Sequence, residues 1–320
     1  MRSAFSYAVR STESAVRSLE REVRSYFVLM PKAGIVTVVG KPNVGKSTLL
    51  NRIVGEKLSI TSPKPQSTRD RVVGIRTTDA SQMIILDTPG LLNPKYALQE
   101  SMRSTALAAV HEADVIIYVA DATEGSPPPL SEAARLKQPP AGKIVTALNK
   151  SDRLNAGAAE NLGGEDHVLV SALTGDGIPA LLALVEERLP ESPFLYPEDE
   201  ISTQPVRFFV GEMVRETVLD QLHDEVPYSV AVQVEEYREE RSPLYIRAVI
   251  YVERDSQKAI IIGSKGAQIR RLGESSRAKI EAFVGTKVYL DLWVKVLANW
   301  RKNPGSLSRF GYQLATGKSK

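Results

Sequence analysis

The chain has 320 residues, 42% of them hydrophobic, and a formal net charge of +3, which is enough material for one or two domains, with two favoured. It has no cysteine, and its three histidines, His111, His167 and His223, lie far apart, which excludes disulfide frameworks, thiolate metal centres and histidine-based metal motifs. No apolar run is as long as a membrane span, and together these features indicate a reducing, aqueous compartment.

The charge is distributed unevenly along the sequence. From Arg241 to Lys320 there are 16 basic and 5 acidic residues, whereas the preceding 240 residues hold 25 basic and 33 acidic residues. Such asymmetry is typical of a C-terminal module that binds a polyanion such as nucleic acid. A basic face that only meets solvent would give the same counts, so charge alone leaves both interpretations open.

Residues 1–33 are expected to lie outside the main fold. Apolar residues recur there at helical spacing between Val16 and Phe27, and arginines punctuate the segment. An amphipathic helix and a targeting segment both fit this pattern, although three glutamates between residues 13 and 22 are unusual for a transit peptide. We favour a third interpretation, in which translation starts at Met30, and we treat 1–33 as an N-terminal extension.

From Gly34 onward, short apolar runs alternate with helical stretches. The predicted strands are GIVTVVG, VVGIRTT, MIILDTPG, ADVIIYVADA, KIVTALNKSD and HVLVSAL, and the helices KSTLLNRIV and IPALLALVEERLP follow the first and the last of them. This alternation predicts an α/β fold with a mostly parallel sheet that is covered on both faces. We assign this first domain to residues 34–193.

The stretch PESPFLYPEDEISTQP is rich in proline and acidic residues and predicts an interdomain linker at 194–204. Residues 205–320 are expected to form a second, α+β domain with a C-terminal tail. Its predicted order is a helix at about 206–222, the strands YSVAVQVEEY and LYIRAVIYVER, a glycine turn after an apolar run, a helix at about 276–284 and the strand KVYLDLWVKV.

The segment GKPNVGKS, from Gly40 to Ser47, matches the pattern G-x-x-x-x-G-K-[ST] between a predicted strand and a predicted helix. That is the context that a phosphate-binding loop requires. Its glycines let backbone N–H groups turn toward phosphates, and the helix N-terminus adds positive potential. Lys46 is placed to contact the β- and γ-phosphates, and the Ser47 hydroxyl is placed to ligate Mg²⁺.

Three further segments are expected to contact the nucleotide, and two of them predict that its base is guanine. Asp87 begins DTPG at a strand end, where a carboxylate holds Mg²⁺ through water and the Gly90 N–H meets the γ-phosphate. Asp152, in NKSD, is expected to accept hydrogen bonds from the N1–H and 2-amino groups of guanine, a pair of donors that adenine lacks. SAL at 171–173 offers the Ala172 N–H to guanine O6, and such strand ends are where open α/β sheets bind ligands. The predicted GTP-binding residues are Gly40, Lys41, Pro42, Asn43, Val44, Gly45, Lys46, Ser47, Thr48, Asp87, Thr88, Pro89, Gly90, Asn149, Lys150, Asp152, Ser171, Ala172 and Leu173.

The segment KLSITSPKPQSTRDR, from Lys57 to Arg71, is polar and proline-bearing and predicts a mobile loop. Thr68 within it is expected to cap Mg²⁺ and the γ-phosphate, so that loss of this phosphate releases the loop and gives a two-state switch. A threonine of a surface loop without function is the alternative. The expected catalytic residues are Lys46, Thr68 and Gly90, and the expected Mg²⁺ ligands are Ser47, Thr68 and Asp87.

The residue directly after DTPG is Leu91, whereas many GTPases place there a glutamine that orients the attacking water. A leucine side chain cannot do this, so intrinsic hydrolysis should be slow unless backbone, an ion or a partner supplies the positioning. Asn43, inside the phosphate loop, is a hypothetical ligand of K⁺ beside the phosphates.

A second glycine turn, Gly263-Ser264-Lys265-Gly266, lacks the length and the Lys-Ser/Thr ending of a nucleotide loop. It matches the G-x-x-G loop of KH modules, which clamps the backbone of about four single-stranded nucleotides. The apolar run Ile260–Ile262 is expected to be a β-strand that forms one wall of a groove for bases. A plain left-handed turn would also fit this short pattern, but the basic setting favours RNA. The expected RNA-binding residues are Ile262, Gly263, Ser264, Lys265, Gly266, Ile269, Arg270 and Arg271.

Together with SITSPKPQSTRDRVVGI, EVPYSV, VERDSQKAIIIGSKGAQI and LDLWVKV, these motifs resemble the Era family of bacterial and organellar GTPases from about Gly34 to Tyr312. The resemblance implies a GTPase domain followed by a type II KH domain, binding of the 3′ region of 16S ribosomal RNA and a role in 30S subunit assembly. It also implies peripheral association with the inner membrane, and we expect a cytoplasmic monomer. Segments 122–142 and 153–166 depart from the pattern, because they look short for the helices normally found there.

Three functional hypotheses compete on the sequence. The first is a GTP-switched RNA-binding assembly factor, and the second is a GTPase that acts on protein or membrane partners through a basic docking domain. The third is an RNA-binding structural protein with an inactive nucleotide domain. The intact nucleotide motifs oppose the third, and the G-x-x-G loop in its basic setting opposes the second.

Overall fold

The computed structural model describes residues 30–155, 162 and 166–312. The predicted extension at residues 1–29 lies outside this part of the chain, and so does most of segment 153–166. The first strand begins at Lys32, two residues before the predicted start of the first domain. Within the described residues, no helix is both long and apolar enough to cross a membrane.

The first domain is built on a six-stranded sheet with the order β2-β3-β1-β4-β5-β6. All neighbouring strands are parallel except β2, which is antiparallel to β3. The strands are β1 Lys32–Val39, β2 Val72–Thr77, β3 Ser81–Asp87, β4 Val115–Asp121, β5 Lys143–Asn149 and β6 His167–Leu169. The helices are α1 Lys46–Val54, α2 Ala97–Glu112, α3 Leu130–Ala134 and α4 Ile178–Arg188.

Both faces of this sheet are buried, as its nearly continuous apolar strands require. In β4, Val115 and Ile117 pack with α1 and α4 on one face, whereas Ile116 and Tyr118 pack with α2 and α3 on the other. The α/β prediction is confirmed. Because β1, β3 and β5 are parallel, their carboxyl ends meet at one edge, and the phosphate loop, DTPG and NKSD follow these three ends.

The segment between β4 and β5 is short of helix, as the sequence suggested. It contains a 3₁₀ turn, Ala122–Glu124, and the five-residue helix α3.

The second domain is built on a three-stranded sheet in the order β7-β8-β9, with β7 antiparallel and β9 parallel to β8. Helices α5 and α8 bury one face of it in a core of aliphatic residues. The strands are β7 Ala231–Arg238, β8 Leu244–Val252 and β9 Val288–Val296. The helices are α5 Val206–Gln221, α6 Val226–Ser229, α7 Asp255–Ile262, α8 Ala267–Val284 and α9 Pro304–Arg309. The predicted α+β class is confirmed.

The apolar run before the second glycine turn is helical, so the prediction of a β-strand at Ile260–Ile262 is wrong. The β-branched residues favoured a strand locally. Two backbone N–H groups at the start of α7 donate to Gln257 Oε1 at 3.0 and 3.2 Å, which closes the first helical turn. Ile261 is fully buried in the domain core, whereas Ile260 is 49% exposed, and one buried position per turn is the pattern of a helix.

The helix after the turn also begins earlier than predicted, at Ala267 rather than near 276. Gly266, in the left-handed region at φ 78°, starts it. The basic residues Arg270 and Arg271 therefore stand on its second turn, exposed to solvent.

The predicted linker at 194–204 packs along the first domain. The Ile75 N–H donates to the Ile201 carbonyl at 2.8 Å, and Gln82 Oε1 accepts from the backbone N–H of Leu195 at 2.7 Å. The two domains also share a cluster in which Leu98 and Met102 of α2 pack with Trp300 and with α9. The chain thus has a substantial contact between its domains, which the sequence did not reveal.

Candidate nucleotide and nucleic-acid sites

The first glycine loop is shaped by positions that accept only glycine. Gly40 and Gly45 have φ of 157° and 98°. A Cβ on Gly40 would lie 2.1 Å from the Val119 carbonyl oxygen, and one on Gly45 would lie 2.2 Å from Asn149 Nδ2. The loop therefore turns tightly against β4 and NKSD, and it leads directly into the N-terminus of α1, where helices attract phosphate.

Lys46 lies beneath this loop and is 6% exposed. Its Nζ donates to the carbonyls of Gly40 at 3.2 Å and Lys41 at 2.8 Å. Burial lowers the pKa of this amine to about 8, although the nearby charge of Asp87 acts in the opposite direction. A poorly hydrated ammonium inside a phosphate loop is suited to the strong negative charge of a nucleotide.

Ser47, Thr68 and Asp87 come together at the edge of the sheet. Ser47 Oγ donates to Asp87 Oδ2 at 2.7 Å and lies 2.8 Å from Thr68 Oγ1. The other carboxylate oxygen, Asp87 Oδ1, is buried without a hydrogen-bond partner, and burial raises the pKa of this carboxyl group. The structure thus brings together the three residues that the sequence proposed as Mg²⁺ ligands.

This cluster fits the chemistry of magnesium. Mg²⁺ prefers oxygen ligands and binds through one or two carboxylates together with phosphates and waters. Two hydroxyls and one orphaned carboxylate oxygen are such a partial set. Across the described ranges, no group of three His, Cys, Asp or Glu side chains could hold a metal.

Asn149 joins three of the predicted motifs. Its Nδ2 donates to the Val44 carbonyl at 2.7 Å, and its Oδ1 accepts from the Ala172 N–H at 2.9 Å. Asp152 Oδ1 accepts from Ser171 Oγ at 2.5 Å. The Ala172 N–H, predicted to read guanine O6, would therefore have to share its proton with Asn149.

These elements enclose a cleft with a volume of about 470 Å³. Its walls also include residues 60–63, 66 and 67 of the predicted switch loop, and Arg153. The sequence analysis named the loop but none of these residues individually. The predicted nucleotide residues that line it are Pro42, Asn43, Gly45, Lys46, Ser47, Thr48, Thr68, Gly90, Asn149, Lys150, Asp152, Ala172 and Leu173.

The predicted nucleotide residues that do not line the cleft are Gly40, Lys41, Val44, Asp87, Thr88, Pro89 and Ser171. Thr88 is buried, and its hydroxyl donates to the Val38 carbonyl at 2.8 Å. Leu91 is 8% exposed and packs in the core between the sheet and α2. No side chain therefore follows Gly90 into the cleft at the position where a glutamine would orient water.

Asn43 closes the mouth of the phosphate loop. It has φ of 63°, and its Nδ2 donates to the Pro63 carbonyl of the switch loop at 3.0 Å. This contact ties the two loops together across the cleft.

The second glycine loop is open to solvent. Gly263, Lys265 and Gly266 have φ of 69°, 50° and 78°, so three of its four residues are in the left-handed region. A Cβ on Gly263 would lie 2.7 Å from the Cβ of Gln268. This loop joins α7 to α8 through a 3₁₀ turn, Ser264–Gly266.

The polar residues expected to meet RNA are accessible. Ser264, Lys265, Arg270 and Arg271 are exposed, and Ile262 and Ile269 are half-buried beside them. The prediction that Ile260–Ile262 form a groove wall for bases is wrong, because Ile261 is buried in the core and is not accessible to a base. A nucleic acid bound at this turn would contact the end of helix α7 instead of a strand.

Comparison with known families identifies the two domains separately. Residues 35–150 match the family model described as 50S ribosome-binding GTPase, and residues 225–301 match the KH domain model. The chain is 42% identical over 294 residues to GTPase Era of Geobacter sp. (strain M21) and 41% identical over 295 residues to GTPase Era of Carboxydothermus hydrogenoformans. Each match covers 88% of this chain and 98% of the relative.

Two solved structures are similar over both domains. An Era variant from Aquifex aeolicus bound to GDP and AlF₄⁻ has 39% sequence identity and a TM-score of 0.83, and the match covers 88% of this chain and 100% of that one. Era in complex with MgGDPNP and nucleotides 1506–1542 of 16S ribosomal RNA has 39% identity and a TM-score of 0.84, with 89% and 100% coverage.

Proposed function

Because this chain belongs to the GTPase Era family and joins a GTPase domain to a KH domain, we propose that it is a GTP-dependent switch that binds the 3′ region of 16S ribosomal RNA. In this role it assists assembly of the 30S ribosomal subunit. The observation that carries the proposal is the convergence of the Ser47 and Thr68 hydroxyls, which line the cleft, on Oδ2 of the buried Asp87 carboxylate.

In the proposed GTP complex, Lys46 and the backbone N–H groups of residues 40–48 hold the phosphates, and Ser47, Thr68 and Asp87 hold Mg²⁺. The metal neutralises charge that develops on the phosphates during hydrolysis. Asp152 selects guanine, and Asn149 keeps the base-binding and phosphate-binding segments in register. Since Leu91 is buried, Thr68 and the Gly90 N–H are left as the groups placed to orient water, and intrinsic turnover should be slow.

The KH domain is the proposed output of the switch. Lys265 presents a charge at the turn, and Arg270 and Arg271 continue the basic surface along α8. Gly263 and Gly266 leave the turn without side chains, so a nucleic-acid backbone can approach closely. The half-buried Ile262 and Ile269 offer apolar contact to bases.

We propose K⁺ as a second cation, with Asn43 as its ligand beside the phosphates. The support is its position within the phosphate loop, facing the switch loop at Pro63. Turnover measured in K⁺ and in Na⁺ should differ in the wild type and become equal in Asn43→Ala. Equal rates for the wild type in both salts would reject the proposal.

The remaining proposals rest on the family resemblance and on composition. They are a cytoplasmic monomer, binding to the 30S subunit itself and peripheral contact with the inner membrane. Co-sedimentation with purified 30S subunits and with vesicles of inner-membrane lipid tests the last two separately.

The decisive experiment is binding of an oligoribonucleotide with the 3′-end sequence of 16S RNA, with GDPNP, with GDP and without nucleotide. The double variant Lys265→Asp, Gly266→Asp should bind at least about tenfold more weakly, since it repels the backbone at the turn. Lys302→Asp, Gly305→Asp makes the same charge change elsewhere in the basic module, and it should cost less than about threefold.

Equal losses in the two variants would indicate charge attraction without a specific loop. An unchanged affinity of the loop variant would leave the second hypothesis, in which the C-terminal domain docks a protein. Binding that ignores the nucleotide would remove the switch, and a wild-type chain that binds neither GDPNP nor GDP would revive the third hypothesis.

A further inference from the structure

Both neighbours of Thr68 are held by the KH domain. On one side, the Arg69 guanidinium crosses the domain boundary and is 3% exposed. Its Nη2 donates to the carbonyls of Tyr228 at 3.1 Å and Pro227 at 3.4 Å, and its Nη1 donates to the carbonyl of Val230. These carbonyls belong to the end of α6, where a helix leaves acceptors unpaired.

On the other side, the Ser67 carbonyl accepts a hydrogen bond from Arg215 Nη2. Arg215 lies on α5 of the KH domain, is 2% exposed and is held by an ion pair with Glu212. The second domain therefore contacts segment 67–69 at two points, the Ser67 carbonyl and the Arg69 side chain. The Thr68 side chain between them points at Ser47 and Asp87.

The pocket around Arg69 is built to retain it. The Trp300 ring lies 6.0 Å from the guanidinium carbon, and Trp300 Nε1 donates to the Ser229 carbonyl at 2.8 Å. Tyr312 in turn stacks on Trp300, with ring centroids 6.3 Å apart. The C-terminal part of the KH domain thus encloses a side chain of the switch loop.

The burial of these two arginines is an inefficient way to raise the free energy of unfolding. Arg69 Nε and Arg215 Nη1 are buried without a hydrogen-bond partner, and each such orphan lowers the free energy of unfolding. What the two arginines do achieve is a fixed place for Thr68. Displacement of a metal-binding or phosphate-binding group by about 1 Å reduces rates strongly.

We propose that Arg69 and Arg215 are positioning residues that hold Thr68 for the metal and the γ-phosphate, so that the docked KH domain completes the GTPase site. This inference rests on the proposed GTPase function. It makes the GTP-bound site, which uses Thr68, sensitive to domain docking, and it leaves the GDP-bound site, which lacks the γ-phosphate, largely indifferent.

The test uses the full chain with Arg69→Met. We expect kcat for GTP hydrolysis and affinity for GDPNP each to fall about tenfold, while affinity for GDP changes less than about twofold. Arg69→Lys should recover part of the loss, because it restores one charged donor to the same carbonyls. In a Thr68→Ala background, Arg69→Met should add almost nothing, since the two residues act through one group.

Lys57→Met is the matched control. It breaks another basic contact across the boundary, the 2.8 Å ion pair with Glu216, but it lies eleven residues from Thr68 in sequence and should leave both nucleotide affinities unchanged. Equal loss of GDP and GDPNP affinity in Arg69→Met would indicate a structural contact and overturn the proposal. So would unchanged hydrolysis, or full additivity with Thr68→Ala. A wild-type chain without GDPNP binding would instead overturn the proposed function.

Discussion

The two glycine loops of this chain solve different problems with similar residues. The loop at 40–47 connects a strand to a helix, and its lysine, Lys46, is 6% exposed beneath the backbone. The loop at 263–266 connects two helices, and its lysine, Lys265, stands in solvent. One lysine is positioned to meet phosphate inside a cleft, and the other to meet a phosphate that passes over the surface.

The glycines of the two loops are also constrained by contacts with different parts of the chain. Gly40 and Gly45 are constrained by β4 and NKSD, which lie far away in sequence. Gly263 is constrained by Gln268 on the next helix, and a Cβ on Gly266 would meet nothing closer than Ile269 at 4.0 Å. The conformation of the first loop is thus constrained by packing against distant segments, whereas the second depends mainly on its own backbone conformation.

The largest expected effect is that of Gly45→Ala. The added methyl group would displace Asn149, which holds both Val44 and Ala172, and the affinity for GDP should fall about a hundredfold, or about 2.7 kcal/mol. Gly266→Ala should cost only the strain of a left-handed alanine, about 1 kcal/mol of unfolding free energy. Nucleotide titration and thermal unfolding of the two variants measure the difference.

The free energy of unfolding that Gly266→Ala loses should be smaller than the free energy of GDP binding that Gly45→Ala loses. Equal losses would contradict the contrast between a loop packed against distant segments and a loop set by its own backbone. RNA affinity of Gly45→Ala without nucleotide serves as the control for folding of the second domain. It should equal that of the wild type.

A smaller effect is expected at the residues that brace each loop. Asn149→Ala leaves the Val44 carbonyl and the Ala172 N–H buried and unpaired, which should lower the unfolding free energy by about 2 kcal/mol. In the second loop, the hydrogen bond from Gln268 Nε2 to Gln221 Oε1 is long, at 3.5 Å. Gln268→Ala should therefore change the unfolding free energy by less than about 0.5 kcal/mol. Denaturant unfolding of both variants is the measurement, and equal losses would contradict the comparison.

The sequence predicted a loop between β1 and α1 because its signal is local. The end of a strand, two glycines at positive φ and a lysine that starts a helix follow one another closely, and the backbone geometry requires them in that order. The run Ile260–Ile262 was misread because β-branched residues favour strands on their own. The hydrogen bonds that Gln257 accepts at the start of the helix and the burial of Ile261 stabilise a helix instead. The residue types of the run reveal neither of them.

The contact between the domains could not be predicted from the sequence at all. Arg69 and the Val230 carbonyl are 161 residues apart, and a backbone carbonyl carries no mark of residue type. A basic residue in a polar loop reads as solvent-exposed unless its partner is known. The same limit applies to Pro63, whose carbonyl accepts from Asn43.

The smallest effect is a pH dependence of nucleotide binding that arises at Lys46. Burial lowers the pKa of Lys46 to about 8 in the nucleotide-free chain, so this amine is protonated below pH 8 and increasingly neutral above it. Bound phosphate favours the ammonium form, so nucleotide binding above pH 8 must take up a proton. Between pH 7 and 8.5 the affinity for GDP should therefore fall about fourfold, and calorimetry in two buffers of different ionisation enthalpy should detect the uptake. RNA affinity measured over the same range is the control for folding, and an equal decline in RNA affinity would contradict a cause local to Lys46.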